Sequence, residues 1–467
     1  MQRTLSDKKP MLKRIRNIHF VGIGGIGMSG IAEVLHNLGH RVTGSDLKKT
    51  SITEHLESLD IKVTEGHKPE NVEGADIVVY SSAVKSSNPE LVRARERKIP
   101  IIRRAEMLGE LMRMKYGIGI AGTHGKTTTA WMTGRVLTQG GLDPTIIVGG
   151  RIRSLGTNAK LGNSEFLVAE ADEFDRSFLQ LIPTVAVVTN IETDHLDCYK
   201  DLAQIKSAFL EFVNRVPFYG TVILCLDEPG LQSIIPEVKK PLVTYGLSPD
   251  AAVQASQVHF QGFSSSFNLC YRGENLGGIR LRVPGVHNIK NALAAAAVGL
   301  ELQIKFEKIK KALEEFSGVH RRFEVKGTVR GITIVDDYAH HPTEIAASLK
   351  AARDGWSNRI VSVFQPHLYS RTRDFHQDFG RALSVSDVIV VTDIYPAREP
   401  PIPEVSGELV AAAARKHGHP AVTYIREKAE IAGYLLQITR PGDLVITFGA
   451  GDIWKTAEEF LNLLKRG

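Results

Sequence analysis

What this chain has little of narrows its chemistry first. Its 467 residues hold only 3 cysteines, Cys198, Cys225 and Cys270, too far apart to form a C-x-x-C pair. That spacing excludes a disulfide framework and a thiolate zinc cluster, and it reads as reduced thiols in a cytoplasmic protein. No apolar run is long enough to span a bilayer, and no apolar signal core follows the basic residues Lys8, Lys9, Lys13, Arg14 and Arg16. Membrane insertion is therefore not expected. Aromatic residues make up 7% and no basic stripe interleaves them, which argues against a nucleic-acid groove. Charge of one sign is scarce too. The 58 Lys+Arg against 52 Asp+Glu leave +6, a mild excess that suits small polyanions such as nucleotides. The composition is otherwise that of a soluble globular protein, and the length implies about three domains.

The chain is organised around Gly122 to Thr128, GTHGKTT, which follows the apolar run Tyr116 to Ala121 and precedes a helical pattern from about Thr129. A strand, a glycine turn and a helix N-terminus make a phosphate cradle, because backbone N–H groups point inward and the helix dipole adds positive potential. Ile120 stands where the longer P-loop has its first glycine, so this is a shortened variant. Gly122, Thr123, His124, Gly125, Lys126, Thr127 and Thr128 are expected to hold ATP, with Lys126 on the β- and γ-phosphates and Thr127 on Mg²⁺. The plainer alternative is a glycine turn with one exposed lysine.

Residues 1–16 read as a tail. Ile18 to Val21 then forms a strand ahead of GIGGIG, whose Gly22, Gly24, Gly25 and Gly27 fit a dinucleotide fingerprint, and Asp46 closes the next strand. Alone, that pattern points to an NAD-dependent dehydrogenase. A UDP pyrophosphate and ribose would satisfy the same loop and carboxylate equally well. Ser81, beyond the strand Ile77 to Tyr80, suits a phosphate or sugar, or else caps a helix. An α/β nucleotide-binding domain is expected over residues 1–113.

Two later strands end in polar clusters. Phe166 to Ala169 leads into EADEFD, and Val185 to Val188 into NIETDHLD. Ligands bind at that strand edge in an open α/β sheet, so Glu170 and His195 are candidate metal ligands beside Thr127. Solvated acidic loops are the alternative. In VPGVHNIKN, Asn288 and Asn291 lie three apart at the start of a helix, either reading an adenine edge or, for Asn288, serving as an N-cap. The central domain is expected over residues 114–319. In residues 320–467 four strands end in DDYAHHPTE, QPHLYSRT, TDIYPARE and GAGDIW, a run of chemically capable groups along one edge.

In this order GTHGKTT, EADE, NIETDHLD, HNIKN, HRRFE and DDYAHHPTE resemble the Mur ligase family over essentially the whole chain. The resemblance implies an α/β protein of three domains: a Rossmann-like UDP-binding domain, a central P-loop ATPase-like domain and a C-terminal Rossmann-like domain for the amino acid. It implies that GIGGIG holds UDP, that Asn288 and Asn291 meet adenine, and that Glu170 and His195 serve Mg²⁺. Arg322 with Asp336 or Asp337 would complete the ATP site. Tyr338, His340, His367 and Arg371 would line the amino-acid and acyl-phosphate region, and Asn158 would approach the muramic acid. The expected substrates are UDP-N-acetylmuramate, L-alanine and ATP, with His195 or His367 taking the amine proton. Phe209 stands where sister ligases carry a carbamylated lysine, which favours the alanine-adding branch. The nearest rival is a recycling ligase that adds a preformed tripeptide to the same sugar. The sequence leaves the oligomeric state open.

Overall fold

The structure, a computed structural model, describes residues 15–149, 159–193, 198–397 and 399–466. His195 and Asn158 lie outside the described residues, as does most of the N-terminal tail.

The first sheet contains β1 (Asn17–Val21), β2 (Arg41–Asp46), β3 (Lys62–Glu65), β4 (Ile77–Tyr80) and β5 (Ile101–Arg103). All pairings are parallel, in the order β3-β2-β1-β4-β5. The order in which strands are added therefore reverses between β1 and β4, the place where an open parallel sheet has its crevice beyond the strand ends. Runs such as Ile-His-Phe-Val are buried on both faces, as an all-parallel sheet requires.

The second sheet begins with β6 (Tyr116–Ala121), β7 (Thr145–Ile147), β8 (Ala159–Lys160), β9 (Phe166–Glu170) and β10 (Val185–Val188). It continues through β11 (Thr221–Cys225), β12 (Leu242–Gly246), β13 (Val253–Gln261), β14 (Ser264–Tyr271) and β15 (Glu274–Leu281). Its order is β15-β14-β13-β12-β11-β10-β6-β9-β7-β8. β6 thus lies between β10 and β9, parallel to both. The loops after all three open on one edge. Phe209, fully buried, packs edge-on against Phe178 at 5.2 Å in the core under this sheet.

The third sheet contains β16 (Glu324–Val329), β17 (Ile332–Asp337), β18 (Ile360–Phe364), β19 (Val388–Val391), β20 (Val422–Tyr424) and β21 (Leu444–Phe448), in the order β16-β17-β21-β18-β19-β20. Only β16 runs antiparallel. Period-two alternation sends Val335, Phe364 and Ile446 to one core and Ile334, Val363 and Val445 to the other. Helices cover both faces.

By compactness the chain divides into two units. The first holds the first sheet and most of the second; the other holds the third sheet and the remainder of β13 to β15. Among the described residues no helix is long and apolar enough to cross a membrane.

Candidate active site

At the P-loop the helix Lys126–Gly140 starts at Lys126, three residues before the periodic pattern suggested. Gly-Lys-Thr is itself the first turn, capped by Gly125 with φ +83°. Gly122 has φ +131°, and a Cβ there would lie 2.0 Å from Thr189 Oγ1. The strand end after β10 straps the loop down. His124 N donates to Asn190 Oδ1 at 2.8 Å, Thr189 Oγ1 donates to His124 O at 2.6 Å, and Glu192 N donates to Thr123 Oγ1 at 3.0 Å. Thr189, Asn190 and Glu192 therefore shape the cradle, a role that positions in and just before NIETDHLD did not announce.

Lys126 Nζ donates to Gly122 O at 2.7 Å, to Thr123 O at 3.3 Å and to Glu173 Oε2 at 2.7 Å. Burial works against its charge, but the Glu173 and Asp172 carboxylates more than offset that, so its pKa stands above the ordinary lysine value. Glu170, the last residue of β9, accepts from Gly149 N at 2.7 Å and from the Thr127 hydroxyl. Burial raises its pKa, against those two hydrogen bonds and the Lys126 charge. Thr127 and Glu170 are thus brought together, one from the loop after β6 and one from the end of β9. A hydroxyl and a carboxylate oxygen are the hard donors that Mg²⁺ takes.

Asn288 and Asn291 both lie within the helix Val286–Glu301. Asn288 is its third residue and donates from Nδ2 to Pro284 O at 2.7 Å, so the N-cap alternative does not hold. Asn291 Oδ1 accepts from Thr129 Oγ1 at 3.1 Å and lies 2.7 Å from where a Cβ on Gly125 would stand. One of the two amides is therefore fixed against the P-loop.

In the first sheet, Gly24 N donates to Asp46 Oδ2 at 2.8 Å, and Leu47 N donates to Asp46 Oδ1 at 2.8 Å. Asp46 ties the glycine loop to the end of β2. The Ser81 side chain meets Gly22 across the β1–β4 crevice, its Cβ 3.4 Å from the place of a Cβ on Gly22. Arg104, which the sequence reading did not single out, lies over the first turn of the helix Ile26–Asn37, with a guanidinium nitrogen 3.0 Å from the place of a Cβ on Gly27.

The third sheet carries its own polar edge. Arg321, not Arg322, makes the closest grip on the aspartate pair. Its Nε donates to buried Asp336 Oδ2 at 3.0 Å, and its other nitrogens donate to Gly451 O at 3.0 Å and Gly449 O at 2.6 Å. Arg322 pairs with Glu344 at 3.5 Å, and both guanidinium groups lie over the Tyr338 ring. Asp337 accepts from Ser348 Oγ at 2.6 Å, and burial pushes its carboxyl up to about 6. Burial also raises Asp336, against the opposing Arg321 charge.

Tyr338, His340, His367 and Tyr395 form a chain of rings, with centroids 5.3, 5.9 and 5.8 Å apart in turn. The His340 Nδ1–H donates to Tyr338 O at 3.0 Å. Burial first, and the Arg371 charge with it, lower both imidazoles to about 4. Both rings are therefore neutral at pH 7, with Arg371 supplying positive potential beside them. A general base works best with a pKa near the operating pH, so His367 in this state accepts a hydrogen bond more readily than it keeps a proton.

Comparison with known proteins gives matches along the whole chain. The model of the Mur ligase family catalytic domain matches residues 17–116, that of the Mur ligase middle domain residues 120–299, and that of the Mur ligase glutamate ligase domain residues 321–451. A UDP-N-acetylmuramate–L-alanine ligase from Geotalea uraniireducens is 56% identical over 97% of this chain and 99% of its own length. One of the same name from Geotalea daltonii is 54% identical, with the same coverage. The crystal structure of the UDP-N-acetylmuramate–alanine ligase from Thermotoga maritima superposes with a TM-score of 0.80 at 30% identity, over 96% of this chain and 99% of that one.

Proposed function

This chain belongs to the Mur ligase family, and from that premise we propose that it joins L-alanine to the lactyl carboxylate of UDP-N-acetylmuramate at the expense of ATP. The observation that carries the proposal is the meeting of Lys126, Thr127 and Glu170 at the carboxyl edge of the second sheet. The proposed domains are residues 1–113 for the UDP-sugar, 114–319 for ATP and 320–467 for the amino acid. The enzyme is proposed to be cytoplasmic and to act on small molecules alone.

A carboxylate is a poor electrophile, so it is first activated. The lactyl carboxylate oxygen attacks the γ-phosphorus, the bond to the β,γ-bridging oxygen breaks, and ADP leaves an acyl phosphate behind. The alanine amine then attacks the acyl carbon, and inorganic phosphate departs from the tetrahedral intermediate, taking up the proton that the amine gives up. Lys126 neutralises charge on the transferring group, the largest contribution a protein makes to such a step. Thr127 and Glu170 would hold Mg²⁺, which supplies further charge neutralisation at the phosphates. His195 is proposed as a further ligand.

The remaining assignments share one logic. Gly122 to Thr128 cradle the phosphates with loop N–H groups. Asn288 and Asn291 face adenine, and Arg322 with Asp336 and Asp337 serves the nucleotide from the third sheet's edge. Gly22, Gly24, Gly25, Gly27, Asp46 and Ser81 hold the UDP portion, with Asn158 toward the sugar. Tyr338, His340, His367 and Arg371 receive the amino acid, where the permanent charge of Arg371 suits a carboxylate.

The test is direct. The purified protein is mixed with ATP, Mg²⁺, UDP-N-acetylmuramate and single amino acids or the tripeptide, and phosphate release and product mass are followed. Turnover with L-alanine and a mass gain of one alanyl residue is expected. Turnover with the tripeptide alone would refute the alanine assignment.

A further inference from the structure

Lys126 is saturated before any nucleotide arrives. Its ammonium has three N–H donors, and three acceptors lie within reach: the carbonyls of Gly122 and Thr123, and the Glu173 carboxylate. The two carbonyls belong to the loop that forms the cradle. Glu173 does not. It arrives from the segment after β9, is itself buried, and ends at 2.7 Å from Nζ.

The setting of Glu173 is built rather than incidental. Its backbone carbonyl accepts from the hydroxyl of fully buried Tyr199 at 2.7 Å. Two residues on, Asp175 and Arg176 hold φ of +52° and +61°, a left-handed pair that non-glycine residues seldom adopt. Ser177 Oγ ties the turn back to Asp172 O and Phe174 O at 3.2 and 3.1 Å. The main chain at Glu173 is thus clamped, and only its side chain is left to swing.

A γ-phosphate that reaches Lys126 brings about two negative charges to a place already occupied by a buried carboxylate. Both anions cannot hold the same ammonium without strong repulsion. We infer that Glu173 is a resting counter-ion of Lys126 that the γ-phosphate displaces, so that Glu173 holds the lysine charged and placed between turnovers and weakens the grip on nucleotide. ADP lacks the γ-phosphate, so the exchange is less complete and the lysine returns to Glu173 after transfer. Glu173 is a positioning residue in this scheme. The inference rests on the reading of the loop as a nucleotide cradle.

The test is equilibrium binding of a non-hydrolysable ATP analogue and of ADP, both with Mg²⁺, to the full chain by calorimetry. Glu173→Gln keeps the shape and removes the charge. It is expected to tighten analogue binding about tenfold, the scale of a short-range Lys126–carboxylate attraction that the phosphate no longer has to displace in a partly screened site, and to tighten ADP less. Glu173→Asp, with its charge drawn back by one methylene, should fall between wild type and Glu173→Gln. In a Lys126→Gln background the same Glu173→Gln change should bring little or no gain, because there is no ammonium to compete for.

Unchanged or weaker analogue binding by Glu173→Gln would overturn the inference, and weaker binding restored by excess Mg²⁺ would assign the carboxylate to the metal instead. An equal gain in the Lys126→Gln background would also overturn it. Should Glu173→Gln fail to fold, Glu173→Asp decides: binding no tighter than wild type refutes the exchange. A wild-type protein that binds no nucleotide would instead overturn the reading of the loop itself.

Discussion

The sharpest handle on the P-loop is Gly122, and Gly122→Ala separates the geometry of the cradle from its charge. The residue has φ +131°, and the new methyl would stand 2.0 Å from Thr189 Oγ1, 3.0 Å from Thr189 N and 3.1 Å from Asn190 N. Two of those three atoms are backbone and cannot rotate away. Holding an L-residue at such a dihedral costs about 1–3 kcal/mol. Pushing Thr189 aside also breaks its 2.6 Å bond to His124 O, worth about 0.5–1.5 kcal/mol net because Asn190 Nδ2 still donates to that carbonyl. The loop relieves the clash by moving, and the N–H groups that should converge on phosphate move with it. A loss of about 2 kcal/mol in nucleotide binding corresponds to about thirtyfold in affinity. Gly141→Ala is the control. Gly141 has φ +95° at the far end of the same helix, with nothing within 4 Å of a new methyl. It costs about 1–2 kcal/mol of local stability and should leave binding intact. Calorimetric titration of both variants with ADP decides the matter. Wild-type affinity in Gly122→Ala, or an equal loss in Gly141→Ala, would refute the reasoning.

Lys126→Ala should lower turnover at least about a hundredfold, since a lost charge contact in phosphoryl transfer is worth about 3–4 kcal/mol; near-normal phosphate release would dismiss its role. His340 and His367 sit at about 4 when folded, below the ordinary 6.5, so the stability they confer is complete above about pH 6.5 and is lost as pH falls through 4. Asp337 has the opposite sign, because its carboxyl is raised from 3.8 to about 6, and its contribution is present in acid and lost as pH rises through 6. Urea midpoints from pH 7 to pH 4 should therefore decline less in a His340→Gln/His367→Gln protein than in wild type, and parallel slopes would exclude the assignment. Arg321→Ala strands buried Asp336 and should cost about 3–5 kcal/mol, whereas Arg322→Ala leaves Glu344 its bonds from the His340 and His341 N–H groups and should cost less and act on the Michaelis constant for ATP. The two are compared by denaturant unfolding and steady-state kinetics, and equal stability losses would count against the distinction.

The parts of this molecule that were legible in its sequence are those in which backbone pattern and chemistry coincide. Tyr116 to Ala121 followed by GTHGKTT is a strand, a turn and a helix start, and no other local structure satisfies those glycines. The strand ends at Glu170 and Asp336 were readable for a related reason: a buried parallel strand is a nearly pure apolar run, so the first acidic residue marks its carboxyl end. Asp46 was legible as a strand-end carboxylate, but its present partner, the N–H of Gly24, was not. Partners are set by how far a loop folds back, and no periodicity encodes that distance.

The same limit explains why Glu170 was singled out and Glu173 was not. Both belong to EADE, and the reading took the residue at the strand end as the one facing the cradle. Glu173 reaches Lys126 from a sharp turn that continues through two left-handed residues, Asp175 and Arg176, neither of them a glycine. A glycine there would have advertised the turn; Phe-Asp-Arg-Ser conceals it. Arg321 was missed for a complementary reason. In HRRFE the two arginines are equivalent as letters, and they differ only in where the backbone aims them. Arg321 has φ +58°, which turns its guanidinium inward to Asp336 and the carbonyls of Gly449 and Gly451, while Arg322 is left partly exposed beside Glu344. An arginine whose Nε and both Nη atoms each donate to a buried aspartate or a carbonyl is committed to holding the fold.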